Sequence, residues 1–478
     1  MAEYIIQNFA GGLNEGVHAS LIQKNEASNL LNADFSNGGL KPSKDLASYL
    51  ATCPINITRL MVYHESGTHK FVVSGGGSLY LYNGSAWISL GTGFTSDLWD
   101  FVNYNLNGVD VMILVNGVDN NKILTGTTLT NMKDRRVHYD VNGAIDGYYD
   151  ANGVLRATEA LVTTLAPKAY FVELHYERIW LADEKSVYFS KDFDPQDYTV
   201  PTDELEANMH GGEIVMESFD ATNIIGLKVV YDDVCIFKEK SLFKITGAYA
   251  EQYTKQQLFT FNGAIADGSI VATSGGCFFL NHDGIYLYDG VNCTIVSNKI
   301  ERTVASFYAT DLSKAKGANH RGKYYLCVPI VATPSNKWQV IEYDYTRGTF
   351  SKHDIAVTGF LEIIDDLYAI KGTKIIYKYG TGYPLPLLWE TGYSDLGYPN
   401  AIKENEDIYF QGTGDEVIVT CTTEKKDKTK TITLTANNFV YHKSLINYGR
   451  LMKFKFATTA TKYCEIIGFK AIMDIDED

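Results

Sequence analysis

Alternating hydrophobic and polar positions recur along this chain in short runs, and each run closes on a tight polar turn. Successive side chains of a β-strand point to opposite faces, and Asn-Gly or Asp-Gly supplies the positive φ angles of a two-residue hairpin. Seven such runs occur, at residues 78–84, 121–126, 185–191, 240–247, 284–290, 340–348 and 374–380. Their recurrence at intervals of roughly 35 to 65 residues predicts one supersecondary unit used repeatedly, as propeller blades are.

Two or three further β-rich runs precede each closing run. Residues 59–63 and 70–74 precede the first, for example, and residues 234–238 precede the fourth. Three or four short antiparallel strands make up one blade of a propeller. The sequence therefore predicts an all-β fold, with a propeller of six to eight blades, seven by count, over residues 51–385.

Three segments lie outside this repeat. Residues 1–50 predict an N-terminal arm laid over the first blade, with a strand at residues 4–9 and a short helical segment at residues 24–31. The long interval at residues 131–166 predicts an inserted loop or hairpin at one rim of the propeller, since loops of this length usually carry function or disorder. Residues 386–478 contain five or more regular antiparallel strands, which predict a small β-sandwich.

The composition fits a large all-β protein. Aromatic residues make up 13% of the 478 residues, and they favour pleated, half-buried surfaces. No run approaches the ~18 apolar residues of a membrane span, and the N-terminus lacks a basic stretch followed by an apolar core, so we expect production in the cytosol. The seven cysteines are odd in number and include no C-x-x-C pair, and Cys235, Cys277 and Cys327 lie in apolar runs, which predicts buried, reduced thiols.

The formal net charge of −15 limits the possible partners. Sequence-specific binding to nucleic acid gains affinity from clustered Lys and Arg, which release counterions from the phosphates. An acidic protein lacks that gain, and we expect no specific binding of DNA. An acidic wall around a channel would instead keep a passing polyanion from adhering.

Few residues suggest chemistry, and the nucleotide-binding, serine-hydrolase and zinc-protease motifs are absent from the sequence. His64 and His69 lie in a predicted turn, where exposed polar residues are the default. The Asp, Asn and Gly residues between Asp140 and Asp150 resemble a calcium loop, but Ala151 occupies the twelfth position, where an EF-hand has Glu. Turn chemistry is the favoured interpretation, because these residue types also form tight turns, and a calcium site or receptor contact on the insertion is the alternative.

Paired carboxylates are the remaining candidates. Asp232 with Asp233 and Asp365 with Asp366 lie in predicted hairpin turns, where solvated charge is expected, although a glycosidase could use an acidic pair across a propeller face. Residues 474–478 form an acidic tail, which we interpret as a solvated end. The sequence thus predicts no catalytic, cofactor-binding or metal-binding residue, no cofactor and no enzymatic activity.

Several short motifs carry a resemblance to a known family. The sequence reads Phe-Ala-Gly-Gly-Leu-Asn at residues 9–14, Glu-Ala-Ser-Asn-Leu-Leu-Asn at residues 26–32 and Gly-Gly-Leu-Lys at residues 38–41. Residues 177–182, 187–190, 193–195 and 281–286 add an Arg-containing strand, a Tyr-Phe-Ser strand, an Asp-Pro turn and a further β-run. Together they resemble the tail β-propeller proteins of tailed bacteriophages, of the tail-hub or nozzle type that stabilises packaged DNA. The chain departs from that pattern mainly in the insertion at residues 131–166.

The resemblance implies a structural protein of the virion tail, assembled in the host cytoplasm. Such propellers form a homo-oligomeric ring, a hexamer being favoured, below the portal and adaptor, where they extend the DNA channel, retain the packaged genome and take part in its ejection. A closed ring requires heterologous contacts, for which the sandwich and the propeller edge are complementary candidates. Two alternatives remain open: a receptor- or glycan-binding propeller at the tail tip, and a glycan hydrolase.

Overall fold

The computed structural model describes residues 1–150, 152–199, 210–217, 221–260, 262–330, 337–434 and 440–476. Nearly all of its regular structure is β, as the alternation predicts. The short helical turns span Glu159–Leu161, Ala250–Gln252, Asp267–Ser269, Ser297–Ile300, Glu301–Ala305 and Ala309–Lys314. Within the described ranges, no helix has the length and apolar character needed to cross a bilayer.

Seven four-stranded antiparallel sheets form the blades of the propeller, and the strands of each sheet are hydrogen-bonded one after another from the innermost to the outermost. Blade 1 comprises Arg59–Glu65, Thr68–Gly75, Ser78–Tyr82 and Trp87–Thr92. Blade 2 comprises Asp100–Leu106, Val109–Val115, Lys122–Thr125 and Thr128–Asn131. Blade 3 comprises Phe171–His175, Arg178–Ala182, Ser186–Phe189 and Gly212–Val215. Blade 4 comprises Ile224–Val230, Asp233–Lys238, Ser241–Thr246 and Thr254–Thr260.

The remaining three blades complete the ring. Blade 5 comprises Val271–Thr273, Gly276–Asn281, Gly284–Tyr288 and Cys293–Ile295. Blade 6 comprises Lys316–His320, Lys323–Ile330, Lys337–Asp344 and Thr349–His353. Blade 7 comprises Gly359–Ile363, Asp366–Ile370, Ile376–Lys378 and Ala47–Ser48. The innermost strand of each blade contacts that of the next, and that of blade 7 contacts that of blade 1, so the propeller is closed.

The cores lie between neighbouring blades, and this explains why the second strands are apolar without interruption. In blade 2, Val111 and Ile113 pack towards blade 3, whereas Met112 and Leu114 pack towards blade 1. All four side chains are almost fully buried. A strand that is covered on both faces has no solvent side, so its sequence loses the alternation of a half-exposed strand.

Closure of the ring uses the N-terminal part of the chain. Ala47 and Ser48 pair with Lys378 and Tyr377 and form the outermost strand of blade 7. The last blade is thereby tied to the start of the chain, across more than 300 residues of sequence. The N-terminal arm expected over residues 1–50 therefore includes one strand of the propeller.

The C-terminal region is a β-sandwich of two antiparallel sheets, as predicted. In spatial order, the first sheet comprises Ala2–Ile6, Cys464–Asp476, Ile402–Gly414 and Val440–Gly449. The second comprises Asn29–Leu31, Leu388–Glu390, Met452–Ala457, Glu416–Thr423 and Asp427–Thr433. Each sheet thus contains one strand from the N-terminal segment.

Two expectations about that segment are wrong. It is not laid over the first blade, because Ala2–Ile6 pairs with the C-terminal strand and Asn29–Leu31 pairs with Leu388–Glu390. Residues 24–31 are not helical, since Glu26–Ala27 pairs in parallel with Gly12–Leu13. The segment also contains a short ladder between Ala33–Asp34 and Lys41–Pro42. Pairing with distant strands overrides the weak local helix preference.

The insertion joins blade 2 to blade 3. It forms a three-stranded antiparallel sheet of Arg135–Tyr139, Ile145–Asp150 and Leu155–Arg156. Its base is fixed by Arg135, which binds Glu159 at 3.1 Å and Asp194 at 2.5 Å. Its tip carries Val141, which is fully exposed.

Candidate functional surfaces

The turns between the first and second strands of the blades lie together on one face of the propeller. Each blade has an even number of strands, so every blade begins at the same face, and these turns surround one mouth of the central channel. We call this the inner-turn face. The turn dipeptides are Ser66-Gly67, Asn107-Gly108, Tyr176-Glu177, Tyr231-Asp232, Ser274-Gly275, Arg321-Gly322 and Ile364-Asp365.

Three of these turns contradict ordinary turn chemistry. Four dipeptides end in glycine, and in three of these the first residue is also left-handed, namely Ser66, Asn107 and Arg321. The other three dipeptides contain no glycine, and their first residues Tyr176, Tyr231 and Ile364 adopt φ values of 47°, 54° and 56° with a bulky side chain. A left-handed conformation costs a residue with a side chain roughly 1–2 kcal/mol, and more when the side chain is β-branched. The three side chains are 49%, 55% and 74% exposed, so burial does not offset that cost. Such strain on exposed residues is a feature of functional surfaces.

Blades 3 and 4 bring several of these residues into one patch. We define the aromatic–acidic patch as Tyr176, Glu177, Phe193, Tyr231 and Asp232. The backbone N–H of Phe193 donates to the carbonyl of Glu177 at 3.1 Å, and Phe193 is also left-handed, with φ 59° and an exposure of 63%. All three aromatic residues of the patch are therefore held exposed by strained backbone.

Two contacts hold the patch together. The ring centroid of His175 lies 4.1 Å from that of Tyr176, and Asp232 lies close enough to His175 to affect its pKa, so the turns of the neighbouring blades 3 and 4 lie side by side. Burial lowers the pKa of His175 despite the nearby Asp232. The Tyr231 ring lies on Gly290, where an added Cβ would come within 2.9 Å of a ring carbon. Gly290 of blade 5 thus supports the Tyr231 ring of the patch.

The paired carboxylates predicted from the sequence divide into two kinds. They lie in hairpin turns, as predicted. Asp233 binds Lys244 at 2.9 Å and Asp366 binds Lys378 at 2.7 Å, so the second carboxylate of each pair is neutralised within its own blade. In the described part of the chain, Asp232 forms no ion pair, and neither do Asp365 and Glu177.

The histidine pair lies on the same face. Contrary to the expectation of a turn position, His64 and His69 lie in strands, opposite each other across the inner hairpin of blade 1, with ring centroids 4.5 Å apart. The nearby Asp110 accepts hydrogen bonds from Ser66 N–H and Asn105 Nδ2. No group of three or more His, Cys, Asp and Glu side chains suited to a metal ion occurs among the residues that the structure describes.

The carboxylates of the insertion accept hydrogen bonds from backbone N–H groups of its turns. Asp140 Oδ1 accepts the backbone N–H groups of Asn142 and Ala144, each at 2.8 Å. Asp150 accepts those of Asn152 and Val154. These hydrogen bonds are the turn chemistry favoured by the sequence. In the acidic tail, residues 477 and 478 lie outside the described residues.

Charged side chains inside the propeller channel are paired across blades. Glu173 of blade 3 binds Lys228 of blade 4, and beside them lies a cavity of about 410 Å³. Although burial opposes the charge of Lys228, Glu173 and Asp100 raise its pKa. At the other mouth, Asp267 binds Arg59 of blade 1 at 3.2 Å and Lys316 of blade 6 at 2.9 Å. This pair of contacts bridges the channel between blades that are not neighbours.

A second region of interest joins the N-terminal segment, the sandwich and blades 5 and 6. We call it the joint. Buried side chains from all three parts form one continuous hydrophobic cluster, which includes Phe9, Phe278, Leu326, Trp389 and Phe456. The Phe9 ring meets those of Trp389 and Phe456 edge-on, at 5.5 and 6.1 Å between centroids.

Polar contacts of the joint come from the motifs noted in the sequence. Buried Glu26 accepts Asn14 Nδ2 at 2.9 Å and Lys299 Nζ at 3.1 Å. Burial alone would raise the pKa of Glu26, but the hydrogen bonds from Gln23, Asn14 and Lys299 hold it below its ordinary value. Gly12 has φ +71°, and a Cβ there would lie 2.9 Å from the carbonyl oxygen of Phe350 in blade 6.

Asn32 completes this connection. Its Nδ2 donates to the carbonyl of Pro386 at 3.0 Å, at the start of the sandwich region. Its Oδ1 accepts the backbone N–H of Asp354 at 2.7 Å, at the end of blade 6. One buried side chain thereby fixes the propeller and the sandwich to each other.

The cysteines predicted to lie in apolar surroundings are buried. All seven are free thiols, and Cys235, Cys277 and Cys327 are buried, as predicted. Burial raises the pKa of Cys235 and of Cys327 to about 12. A thiol with such a pKa is protonated at neutral pH and is a poor nucleophile.

Comparison with known proteins gives a fold likeness only. No family model matches the sequence, and no curated protein matches it. The chain is similar to the extracellular domain of the one-component system BT4673 from B. thetaiotaomicron, at 9% identity and a TM-score of 0.41, over 83% of this chain and 48% of that one. It thus spans about half the length of that structure. Apo AztD from Citrobacter koseri matches at 14% identity and a TM-score of 0.36, over 68% of this chain and 94% of that one. The exo-β-1,3-galactanase of Phanerochaete chrysosporium matches at 9% identity and a TM-score of 0.25, over 90% of this chain and all of that one.

Proposed function

We propose that this protein is a structural subunit of a bacteriophage virion tail, and that several copies form a ring below the portal and adaptor. The observation that carries the proposal is the joint. The motifs with the phage-tail resemblance supply Phe9, Gly12, Asn14, Glu26 and Asn32, whose contacts fix the sandwich to the propeller. The resemblance therefore rests on residues with a specific architectural role.

A fixed joint suits assembly into a ring. A closed ring forms when one surface of each subunit binds a different surface of the next at a constant angle. Because a single hydrophobic cluster spans the sandwich and blades 5 and 6, surfaces on the two parts keep a constant relation. We favour a hexamer, assembled in the host cytoplasm and carried in the virion.

The path of the DNA would lie between subunits. Arg59, Asp267 and Lys316 bridge the channel of the propeller, which leaves the lumen of the ring as the route for a duplex. With a net charge of −15 on each subunit, the wall of that lumen can be acidic on balance. Such a wall would guide the genome without binding it.

A receptor- or glycan-binding propeller at the tail tip is the second candidate. The specific observation in its favour is the exposure of Tyr176, Phe193 and Tyr231 on one face, since aromatic rings with polar tips are common in binding sites. A glycan hydrolase has less support, because Asp233 and Asp366 are each neutralised by a lysine of their own blade.

Cryo-electron microscopy of the phage particle tests the proposal directly. We expect several copies of the chain in a ring next to the portal and adaptor. We also expect the isolated protein to bind neither cell-wall glycan nor receptor preparations from the host. A position at the distal tip, together with glycan binding by the isolated protein, would establish the second candidate instead.

A further inference from the structure

The sandwich carries a basic surface that contrasts with the acidic chain. We define the lysine edge as Lys425, Lys426, Lys428 and Lys430, in the turn before the edge strand Asp427–Thr433 and on that strand. Residues 424–430 contain these four lysines against two carboxylates, in a protein of net charge −15. Lys425 and Lys428 are exposed, and among the described residues none of the four forms an ion pair.

Two lysines of the lysine edge lie over an aromatic ring of their own chain. Lys425 Nζ and Lys426 Nζ lie 4.8 and 4.1 Å from the ring centroid of Tyr448. A cation over a tyrosine face is attracted by the ring quadrupole, and a neighbouring carboxylate adds to that attraction. The aromatic–acidic patch offers both, with Tyr231 beside Asp232 and Tyr176 beside Glu177, and neither carboxylate has a cationic partner in the described residues.

The two surfaces lie on different parts of the subunit. The sandwich is attached to blades 5 and 6 through the joint, whereas the aromatic–acidic patch lies on blades 3 and 4. Two different, complementary surfaces are what head-to-tail association requires.

We propose that the aromatic–acidic patch binds the lysine edge of a second copy of this chain, and that this contact joins neighbouring subunits in the assembly. The inference rests on the proposed ring and adds the residues that form its interface. It also explains the strained turns, because Tyr176, Phe193 and Tyr231 are held outward for a partner that the isolated chain does not contain. Lysines on an edge strand can also serve only to prevent pairing with strands of other chains. That explanation predicts no contact between the lysine edge and the aromatic–acidic patch.

Site-specific photocrosslinking tests the contact on the full chain. A benzophenone amino acid replaces Tyr231, and the protein is irradiated over a concentration series and then digested for mass spectrometry. We expect crosslinks between chains that map to residues 424–430, with a yield that rises with concentration. Absence of those crosslinks at the highest concentration, or crosslinks that map elsewhere, would overturn the inference.

Charge reversal provides the second readout. The double variant Glu177→Lys and Asp232→Lys should weaken association, followed by sedimentation, on the order of a hundredfold, because like charges would then face each other. Combination with Lys425→Glu and Lys428→Glu in the partner chain should restore most of it. Asp365→Lys is the matched control, since it reverses an exposed carboxylate at the equivalent turn of blade 7 and should have little effect. Equal weakening by the control, or failure of the combined reversal to restore binding, would refute the contact.

The outcome separates this inference from the proposed function. A ring found next to the portal, with the patch and the lysine edge apart, would overturn the interface and leave the structural role intact. Binding of glycan by the patch, lost in Tyr231→Ala, together with a position at the tail tip, would overturn both.

Discussion

Replacement of Phe9 by alanine tests whether the N-terminal segment belongs to the folded core. Phe9 is fully buried and contacts Trp389 and Phe456, which lie more than 370 residues away in the sequence. Truncation of a buried phenylalanine costs about 3–5 kcal/mol, through lost burial and the cavity that remains. Because Phe9 lies on a terminal segment that can partly close the cavity, we expect the lower end, about 3 kcal/mol.

The assay is equilibrium unfolding in urea, followed by tryptophan fluorescence and by far-UV circular dichroism. Trp389 is part of the joint, so its fluorescence reports on this region. Leu21→Ala is the matched control, because Leu21 belongs to the same segment but is 73% exposed, and it should change stability by less than about 0.5 kcal/mol. Deletion of residues 1–40 should abolish soluble protein. A Phe9→Ala variant as stable as the wild type would show that the segment is a detachable arm.

Three further predictions concern strain, pH and DNA. Ile364→Gly should raise the free energy of unfolding by about 1 kcal/mol in thermal or urea unfolding, because it relieves a left-handed conformation and removes little buried surface. A lower free energy of unfolding would contradict the inference that Ile364 is strained. Partial burial of Glu342 opposes its charge, yet hydrogen bonds and charges from His353 and Lys323 lower its pKa from 4.5 to about 2. Its contribution to stability is therefore complete above pH 4.5 and is lost as the pH falls towards 2. Glu342→Gln should therefore be less stable than the wild type at pH 7 and lose less stability between those two pH values, and parallel pH profiles would refute the assignment. If the ring lumen is acidic, replacement of its carboxylates by lysine should slow genome ejection in a phage infection assay without loss of assembly. The reason is that a duplex carries one charge per about 1.7 Å and would bind to a basic wall. A lumen lined mainly by Lys and Arg would refute the idea.

The blades could be predicted because their determinants are local. The run at residues 284–290 forms a strand and a turn through neighbouring residues alone, and repetition of that pattern gave the blade count. The paired carboxylates were placed in turns for the same reason. The inner-turn face was not predicted, because Tyr176, Tyr231 and Ile364 occupy turn positions where the sequence offers no Gly or Asn signal. The only available signal was their equivalent place between the first and second strands of each blade.

The sequence by itself determined the all-β class, the repeated strands, the sandwich and the burial of Cys235 and Cys327. These follow from side-chain alternation, turn residues and apolar runs, which act over a few residues. Only the tertiary structure decided that Ala47–Ser48 closes blade 7 and that Phe9 lies against Trp389. It also placed the inner strands of blades 3 and 4, and so their turns, side by side. Such pairings join segments far apart in the chain, and a two-residue strand or a single buried ring acquires its stability from the partner it meets rather than from its own sequence.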